Sequence, residues 1–214
     1  GQPLLSHIIV NLKKQGFTEI VINVHHFHQQ IIQFLSDNAN FGIQIHVSDE
    51  SDLLLDTGGG LKKAKHFLEG EESFLLYNVD ILTDIDLNKF MLQHNSSRAL
   101  VTLAVRNRKT SRYFLFDQEM NLCGWENQTT GEKIISKDKK PLTPFAFSGI
   151  HAVSPEIFSH LDIEKVFSIN QVYLELAKSK MIKGYLHDHD FWFDIGKPES
   201  LAQAEKYFNK SIDE

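Results

Sequence analysis

Cysteine is almost absent. Cys123 is the single one in 214 residues, so no internal disulfide can form, and the chain suits a reducing, cytoplasmic setting. The lone thiol has no companion for a Cys-x-x-Cys metal site and reads as a small packed residue. Basic residues are in deficit as well: 22 Lys and Arg face 28 Asp and Glu, a formal net charge of −6. That balance argues against a nucleic-acid partner held by basic patches. A polyphosphate ligand would need local lysines, backbone N–H groups or metal ions. No apolar run reaches the roughly 18 residues of a membrane span and no signal peptide is visible, so no membrane partner is expected. A Gly-x-Ser-x-Gly elbow, a Walker loop and a His-Glu-x-x-His helix are all missing, as are internal repeats and low-complexity stretches. Gly1 stands where an initiator Met would, and residues upstream of it are expected.

What is present is a globular composition, 42% hydrophobic and 23% charged, in a chain long enough for a full core in one domain over 1–214. Leu4, Leu5, Ile8, Ile9 and Leu12 predict a helix over 3–15, with Pro3 in its first turn and Gly16 at its C-cap. Glu19–Val24 is β-branched and reads as a buried strand, followed by a helix at about 27–36 and a strand at 43–47. Gly58-Gly59-Gly60 opens a further helix with Leu61, Ala64, Phe67 and Leu68 on one face. Residues 73–80 read as a central strand, and a helix around 86–95 is capped by Asp84 or Asp86. Strands and helices joined by short loops imply parallel βαβ units and an α/β fold. After residue 99 strands dominate, at 100–105, 113–116, 122–125 and 145–153. Pro155 starts a short helix; a helix at 170–180, a strand at 182–187 and a closing helix at 198–209 complete the chain.

Two carboxylates stand out. Asp80 ends an apolar run, and Asp194 ends Phe191-Trp192-Phe193 just before Gly196. Ligands of open α/β sheets bind outside the carboxyl ends of strands, and paired carboxylates there can hold a hard divalent cation. Each is also open to a simpler reading, Asp80 as a helix cap and Asp194 as a turn residue. Asp56-Thr57-Gly58-Gly59-Gly60 permits close backbone approach to a base or phosphate, or is a flexible loop with a glycine-rich cap. Glu126, in Trp125-Glu126-Asn127, and Gly149, in Phe147-Ser148-Gly149-Ile150, are able to present polar groups to a sugar, and are equally compatible with ordinary sheet. His25, His26 and His28 read as exposed loop residues, and His187 and His189 as one face of a solvated strand edge.

Taken in order, these strings resemble the sugar-1-phosphate nucleotidyltransferase family, also called nucleotide-sugar pyrophosphorylases. The matching pieces are Gly1-Gln2-Pro3-Leu4-Leu5, Gly16-Phe17-Thr18-Glu19-Ile20-Val21-Ile22-Asn23, Leu54-Leu55-Asp56-Thr57-Gly58-Gly59-Gly60 and Asn78-Val79-Asp80. Phe147-Ser148-Gly149-Ile150 and Trp192-Phe193-Asp194-Ile195-Gly196-Lys197-Pro198-Glu199-Ser200-Leu201 complete the set, which spans nearly the whole chain. The base loop looks most like the N-acetylmuramate-1-phosphate uridylyltransferase and mannose-1-phosphate guanylyltransferase branch. The resemblance implies a Rossmann-like, glycosyltransferase-A-type mixed and mainly parallel sheet flanked by helices, with a smaller β-rich sugar-binding part. It implies that Asp80 and Asp194 are catalytic and bind Mg2+, that Thr57, Gly58, Gly59 and Asn78 face the nucleotide, and that Glu126, Gly149 and Asn170 face the sugar phosphate. The implied partners are a nucleoside triphosphate and a sugar 1-phosphate, with a homodimer left open.

Two departures accompany the match. The family's opening strand and G-x-G-x-x-R loop, with its Pro-Lys element, occur nowhere in the chain and are expected upstream of Gly1. Val79 takes the place of the glycine that usually precedes the metal aspartate. Two other functions stay in view: a metal-dependent glycosyltransferase using Asp80, Asp84 and Asp86, and a non-catalytic subunit that binds nucleotide sugars.

Overall fold

Ile8, Ile9 and Leu12 recur at helical spacing and are buried, which seats α1 (Leu4–Lys14) on the core. The chain reverses at Gly16 into β1 (Glu19–Val24), α2 (His28–Asp37) and β2 (Gln44–Asp49). β2 pairs parallel with β1 from Glu19↔Gln44 to Val24↔Asp49, a βαβ unit as the alternation implies. Next come α3 (Asp56–Lys63), α4 (Lys65–Leu68), β3 (Phe74–Tyr77), β4 (Ile81–Thr83) and α5 (Leu87–Ser97). The second half holds β5 (Val101–Arg106), β6 (Arg112–Phe116), β7 (Leu122–Asn127), β8 (Lys133–Ile135) and β9 (Thr143–Val153). A 3-10 turn (Pro155–His160), α6 (Ile169–Leu176), β10 (Ile182–Leu186) and β11 (Trp192–Asp194) follow. This computed structural model describes residues 3–70, 72–161, 165–196 and 200. The expected closing helix at 198–209 therefore lies, but for Ser200, outside the described residues, as do Gly1, Gln2, Lys197, Pro198, Glu199 and Leu201 of the matching strings. No described helix is long and apolar enough to cross a membrane.

The main sheet is mixed, in the order β10-β5-β9-β6-β7-β8, with β3 added to β9. β10 and β5 are parallel; β5, β3 and β6 each meet β9 antiparallel. β5 separates two apolar clusters. Val101, Leu103 and Val105 pack with Phe114, Ile157 and Tyr173 on one face, while Ala104 packs with Ile8, Phe90 and Ile150 on the other. A strand buried on both faces reads as a near-continuous apolar run, and 100–105 is one, broken only by Thr102.

The structure differs from expectation over 73–80. β3 stops at Tyr77, because Asn78 O accepts from Ile81 N at 3.1 Å and closes a turn that carries Asp80. Nor is β3 central among the described residues. It is hydrogen-bonded on one edge only, to β9, and all four of its residues are half-buried. Among the described residues β1 likewise pairs with β2 alone. The three-residue strands β4 and β8 are too short to carry a period and were not foreseen.

Candidate active site

β4 and β11 run antiparallel with Ile81 opposite Asp194, so Asp80 arrives beside the end of β11. Ile195 N donates to Asp80 O at 2.9 Å and locks the juncture. Thr83 Oγ1 donates to Phe191 O at 2.6 Å and Phe191 N to Asp84 Oδ1 at 2.8 Å, which pins the entry to β11. Asp86, not Asp80, caps α5, accepting from Lys89 N at 2.9 Å. A Cβ on Gly196 would lie 3.3 Å from both Asp194 Oδ1 and Asp80 Oδ2. The two oxygens thus border one small space and stand no more than twice that distance apart. Burial raises the Asp80 carboxyl above the usual carboxylate range, and the charge of Asp194 raises it further. This donor set fits a hard divalent cation. Among the described residues no third His, Cys, Asp or Glu completes a group for an ion, so phosphate oxygens and water would fill the other positions. Val79 is 50% exposed on the same turn.

Asn78 and Gly149 meet beside this pair. Asn78 N donates to Gly149 O at 2.9 Å, and a Cβ on Gly149 would lie 3.2 Å from Asn78 Nδ2 and 2.8 Å from Ile81 Cγ1. Gly149 has φ +78°, a conformation that other residues adopt only with strain. Its place explains it. The β9 pairing with β6 runs through Phe145, its pairing with β3 starts at Ile150, and the register with β5 shifts between Leu103 and Val105. Gly149 is the bulge where β9 changes partner.

A second group forms at α3 and α6. Gly58, Gly59 and Gly60 are buried inside α3 rather than in a loop. Gly58 N donates to Phe167 O at 2.9 Å, and Ile169 N donates to Thr57 Oγ1 at 3.2 Å, so the entry to α6 rests directly on the glycines. A side chain at Gly58 would run into the Phe167 ring, and one at Gly59 into Lys165 O. Asn170 follows Ile169 in α6, its Oδ1 buried and unpartnered among the described residues. A cavity of about 610 Å³ opens beside Gly59, lined also by Asp52, Leu55, Lys62, Lys63 and Lys165. Glu50, which sequence reasoning missed, braces this group: Oε1 accepts from Asn23 Nδ2 at 2.7 Å and Oε2 from Leu55 N at 3.3 Å.

Glu126 lies on β7, which β6 separates from β9. It pairs with Lys133 Nζ at 3.1 Å and accepts from Gln128 Nε2 at 3.3 Å. His187 corrects the solvated-edge expectation: it is 3% exposed, and its Nε2 lies 2.7 Å from Ser148 Oγ. Burial, with Arg106 nearby, holds its imidazole at about 4, so it is neutral at pH 7 and Asp190 Oδ2, 3.5 Å from Nδ1, forms no ion pair with it. His25 is half-buried, its Nδ1 2.6 Å from Glu50 O. Two arginines also went unread. The guanidinium of Arg108 lies 4.4 Å from the Trp192 ring centre and that of Arg106 5.9 Å. Arg106 closing β5, with Arg108 two residues beyond it, was the available signal.

Paired carboxylates at strand ends, a glycine-backed cavity lined by lysines and a mixed sheet define an α/β protein built to hold a phosphorylated ligand. Residues 1–211 match the Nucleotidyl transferase family, and the chain belongs to it. It is 26% identical over 205 residues to the N-acetylmuramate alpha-1-phosphate uridylyltransferase of Neisseria meningitidis, covering 96% of this chain and 84% of that protein. It is 28% identical over 200 residues to the D-glycero-alpha-D-manno-heptose 1-phosphate guanylyltransferase of Campylobacter jejuni, covering 92% and 82%. Among solved structures, HddC from Yersinia pseudotuberculosis complexed with GMP-PN superposes with a TM-score of 0.76 at 19% identity, covering 97% of this chain and 86% of that one. That likeness establishes the fold.

Proposed function

We propose that this chain transfers a nucleoside monophosphate from a nucleoside triphosphate to a sugar 1-phosphate, giving an NDP-sugar and pyrophosphate. The observation that carries the reading is the convergence of Asp80 Oδ2 and Asp194 Oδ1 on Gly196 in a member of this family. An oxygen of the sugar phosphate attacks the α-phosphorus in line. A new P–O bond forms while the bond from the α-phosphorus to the bridging oxygen breaks, and pyrophosphate leaves with that electron pair. The attacking oxygen is already anionic, so no side chain has to take a proton from it. Asp80 and Asp194 would hold Mg2+, which supplies charge neutralisation at the α-phosphate and the departing pyrophosphate. The remaining task of the chain is positioning.

Thr57, Gly58 and Gly59 are assigned to the nucleoside. With Gly58 N–H committed to Phe167 O, and with Phe167 and Lys165 O filling the space that side chains at Gly58 and Gly59 would need, the glycines serve by seating the entry to α6 directly on α3 beside Thr57. Lysines around the adjoining cavity offset the net charge of −6 locally. Asn78 joins this nucleotide side, and Glu126, Gly149 and Asn170 are assigned to the sugar phosphate. Of these three, Gly149 adjoins the carboxylate turn through Asn78 and Ile81. The buried thiol of Cys123 suits a cytoplasmic setting.

The relatives divide between uridylyl and guanylyl transfer. The test is therefore pyrophosphate release by the full-length protein with Mg2+, using UTP, GTP, CTP, ATP and dTTP. Each is paired with N-acetylmuramate, mannoheptose, mannose and glucose 1-phosphates. One favoured pair is expected, and the absence of Mg2+-dependent turnover with every pair would overturn the function.

A further inference from the structure

Two anions must meet in this reaction, on a chain whose net charge is −6. A phosphate monoester carries about −1.5 to −2 at pH 7. The residues assigned to the sugar phosphate, Glu126, Gly149 and Asn170, bring no positive charge, and the one ionised group among them is itself an anion held by Lys133. The acceptor phosphate therefore needs a cationic side chain of its own, close enough to Asp194 for in-line attack.

Arg108 meets that requirement. Its guanidinium lies over the indole of Trp192, 4.4 Å from the ring centre, and Trp192 sits two residues before Asp194 on the same face of β11. Its Nη2 donates to Phe147 O at 3.1 Å, two residues before Gly149. Trp192 Nε1 donates to Ser148 O at 2.9 Å and ties the platform to the same strand. Arg108 thus bridges β9, which carries Gly149, and β11, which carries Asp194. Arg106 stands behind it, 5.9 Å from the same ring. Nε of Arg108 and Nη1 of Arg106 are buried with no partner among the described residues. A purely structural arginine would commit those donors to carbonyls or carboxylates. The planar fork of arginine matches a phosphate, and stacking on an aromatic ring holds it ready at little cost in entropy.

We propose that Arg108, stacked on Trp192 and backed by Arg106, binds the phosphate of the sugar 1-phosphate and so determines that the acceptor is a phosphate monoester. The assignment rests on the nucleotidyltransferase reading. The charge of Asp194 acts on Arg108, and a cation held by Asp80 and Asp194 would neutralise it and leave the guanidinium to the incoming phosphate.

The experiment compares wild type, R108M and R108K in two measurements. Initial rates use the nucleotide and sugar 1-phosphate that turn over best in the panel above, and calorimetry follows binding of that sugar 1-phosphate without nucleotide. Inorganic phosphate serves as a competitive probe with no sugar attached. R108M keeps the stem on the indole and loses the charge. It should raise KM for the sugar 1-phosphate by roughly 10- to 100-fold, the scale of a lost charged hydrogen bond. KM for the nucleotide should stay within about threefold, and inhibition by inorganic phosphate should weaken in step. R108K, with charge but no fork, should fall between the two. A fall in kcat with both KM values unchanged makes Arg108 a structural brace and overturns the proposal. So does a loss confined to sugars bearing a carboxylate, because the arginine would then read the sugar. If R108M does not fold, R108K decides: wild-type affinity in that variant overturns the proposal. Wild type that neither turns over nor binds any sugar 1-phosphate refutes the underlying function, whereas turnover that survives R108M with unchanged KM refutes this inference alone.

Discussion

At the scale of single residues, the carboxylates of Asp80 and Asp194 border one space, and like charges so placed oppose folding. Function-bearing positions often carry such a penalty, and removing it stabilises the protein while ending the activity. Asp80→Asn should therefore lower Mg2+-dependent turnover roughly 100-fold or more, the scale of losing one charge-stabilising group. In metal-free buffer the same variant should melt at or above the wild-type temperature, by up to about 2–4 °C if about 1 kcal/mol of repulsion is relieved. Mg2+ should raise the melting temperature of wild type and leave that of Asp80→Asn or Asp194→Asn nearly unmoved. Normal metal-dependent turnover in either variant would refute its assigned role. Arg108 belongs to the same scale, since its place over Trp192 is set by two side chains far apart in sequence.

Among the elements, β9 decides the site because it pairs with β3, β5 and β6 and bends at Gly149. Gly149→Ala would force a left-handed φ on a residue with a Cβ and press that Cβ to 2.8 Å from Ile81 Cγ1. The expected cost is about 1–3 kcal/mol, read as a lower urea midpoint, together with a rise in KM as Asn78 is displaced. A midpoint within error of wild type would show that the bulge carries no strain. Much of this architecture was legible in the sequence. Apolar runs located β1, β5 and β9, helical spacing located α1, and the order of the strings pointed to Asp80 and Asp194. What stayed hidden depends on contacts between distant segments. The division of 73–80 into β3 and a turn follows from the bond of Ile81 N to Asn78 O, in a turn held against Gly149 by Asn78 N, a contact that no local pattern encodes. His187 alternates with acidic residues like a solvated edge, and its contact with Ser148 on another strand is not visible in that pattern. Glu50 looks like a loop carboxylate until Asn23 and Leu55 close on it.

For the whole molecule, protons taken up by the unfolded chain set how far stability persists into acid. Burial holds His94 at about 4, His151 at about 3 and His187 at about 4, against 6.5 for an exposed imidazole. His94 Nδ1 lies 2.8 Å from Thr102 Oγ1 and His151 Nδ1 3.0 Å from the Tyr173 hydroxyl, both inside the core. Each histidine is neutral when folded and protonates freely when unfolded, so below pH 6.5 the unfolded state binds more protons. Stability is then complete above that pH and falls until the folded pKa is reached. Asp117 acts in the same direction at lower pH. Burial opposes its ionisation, but hydrogen bonds from Asn121 and Lys139 outweigh that and hold it at about 2, so its contribution is present above 3.8 and lost toward 2. Each histidine contributes a slope of about 1.4 kcal/mol per pH unit, and three together approach 4, against a total stability of about 5–15 kcal/mol. The urea midpoint should therefore hold from pH 8 to 7, decline steeply below 6.5, and reach cooperative unfolding near pH 5. Replacing His151 and Tyr173 together by Phe removes donor and acceptor at once and leaves no buried polar orphan. That double variant should lose about one proton from the slope, and a wild-type midpoint that stays level from pH 7 to 5 would mean that the buried histidines do not govern acid stability.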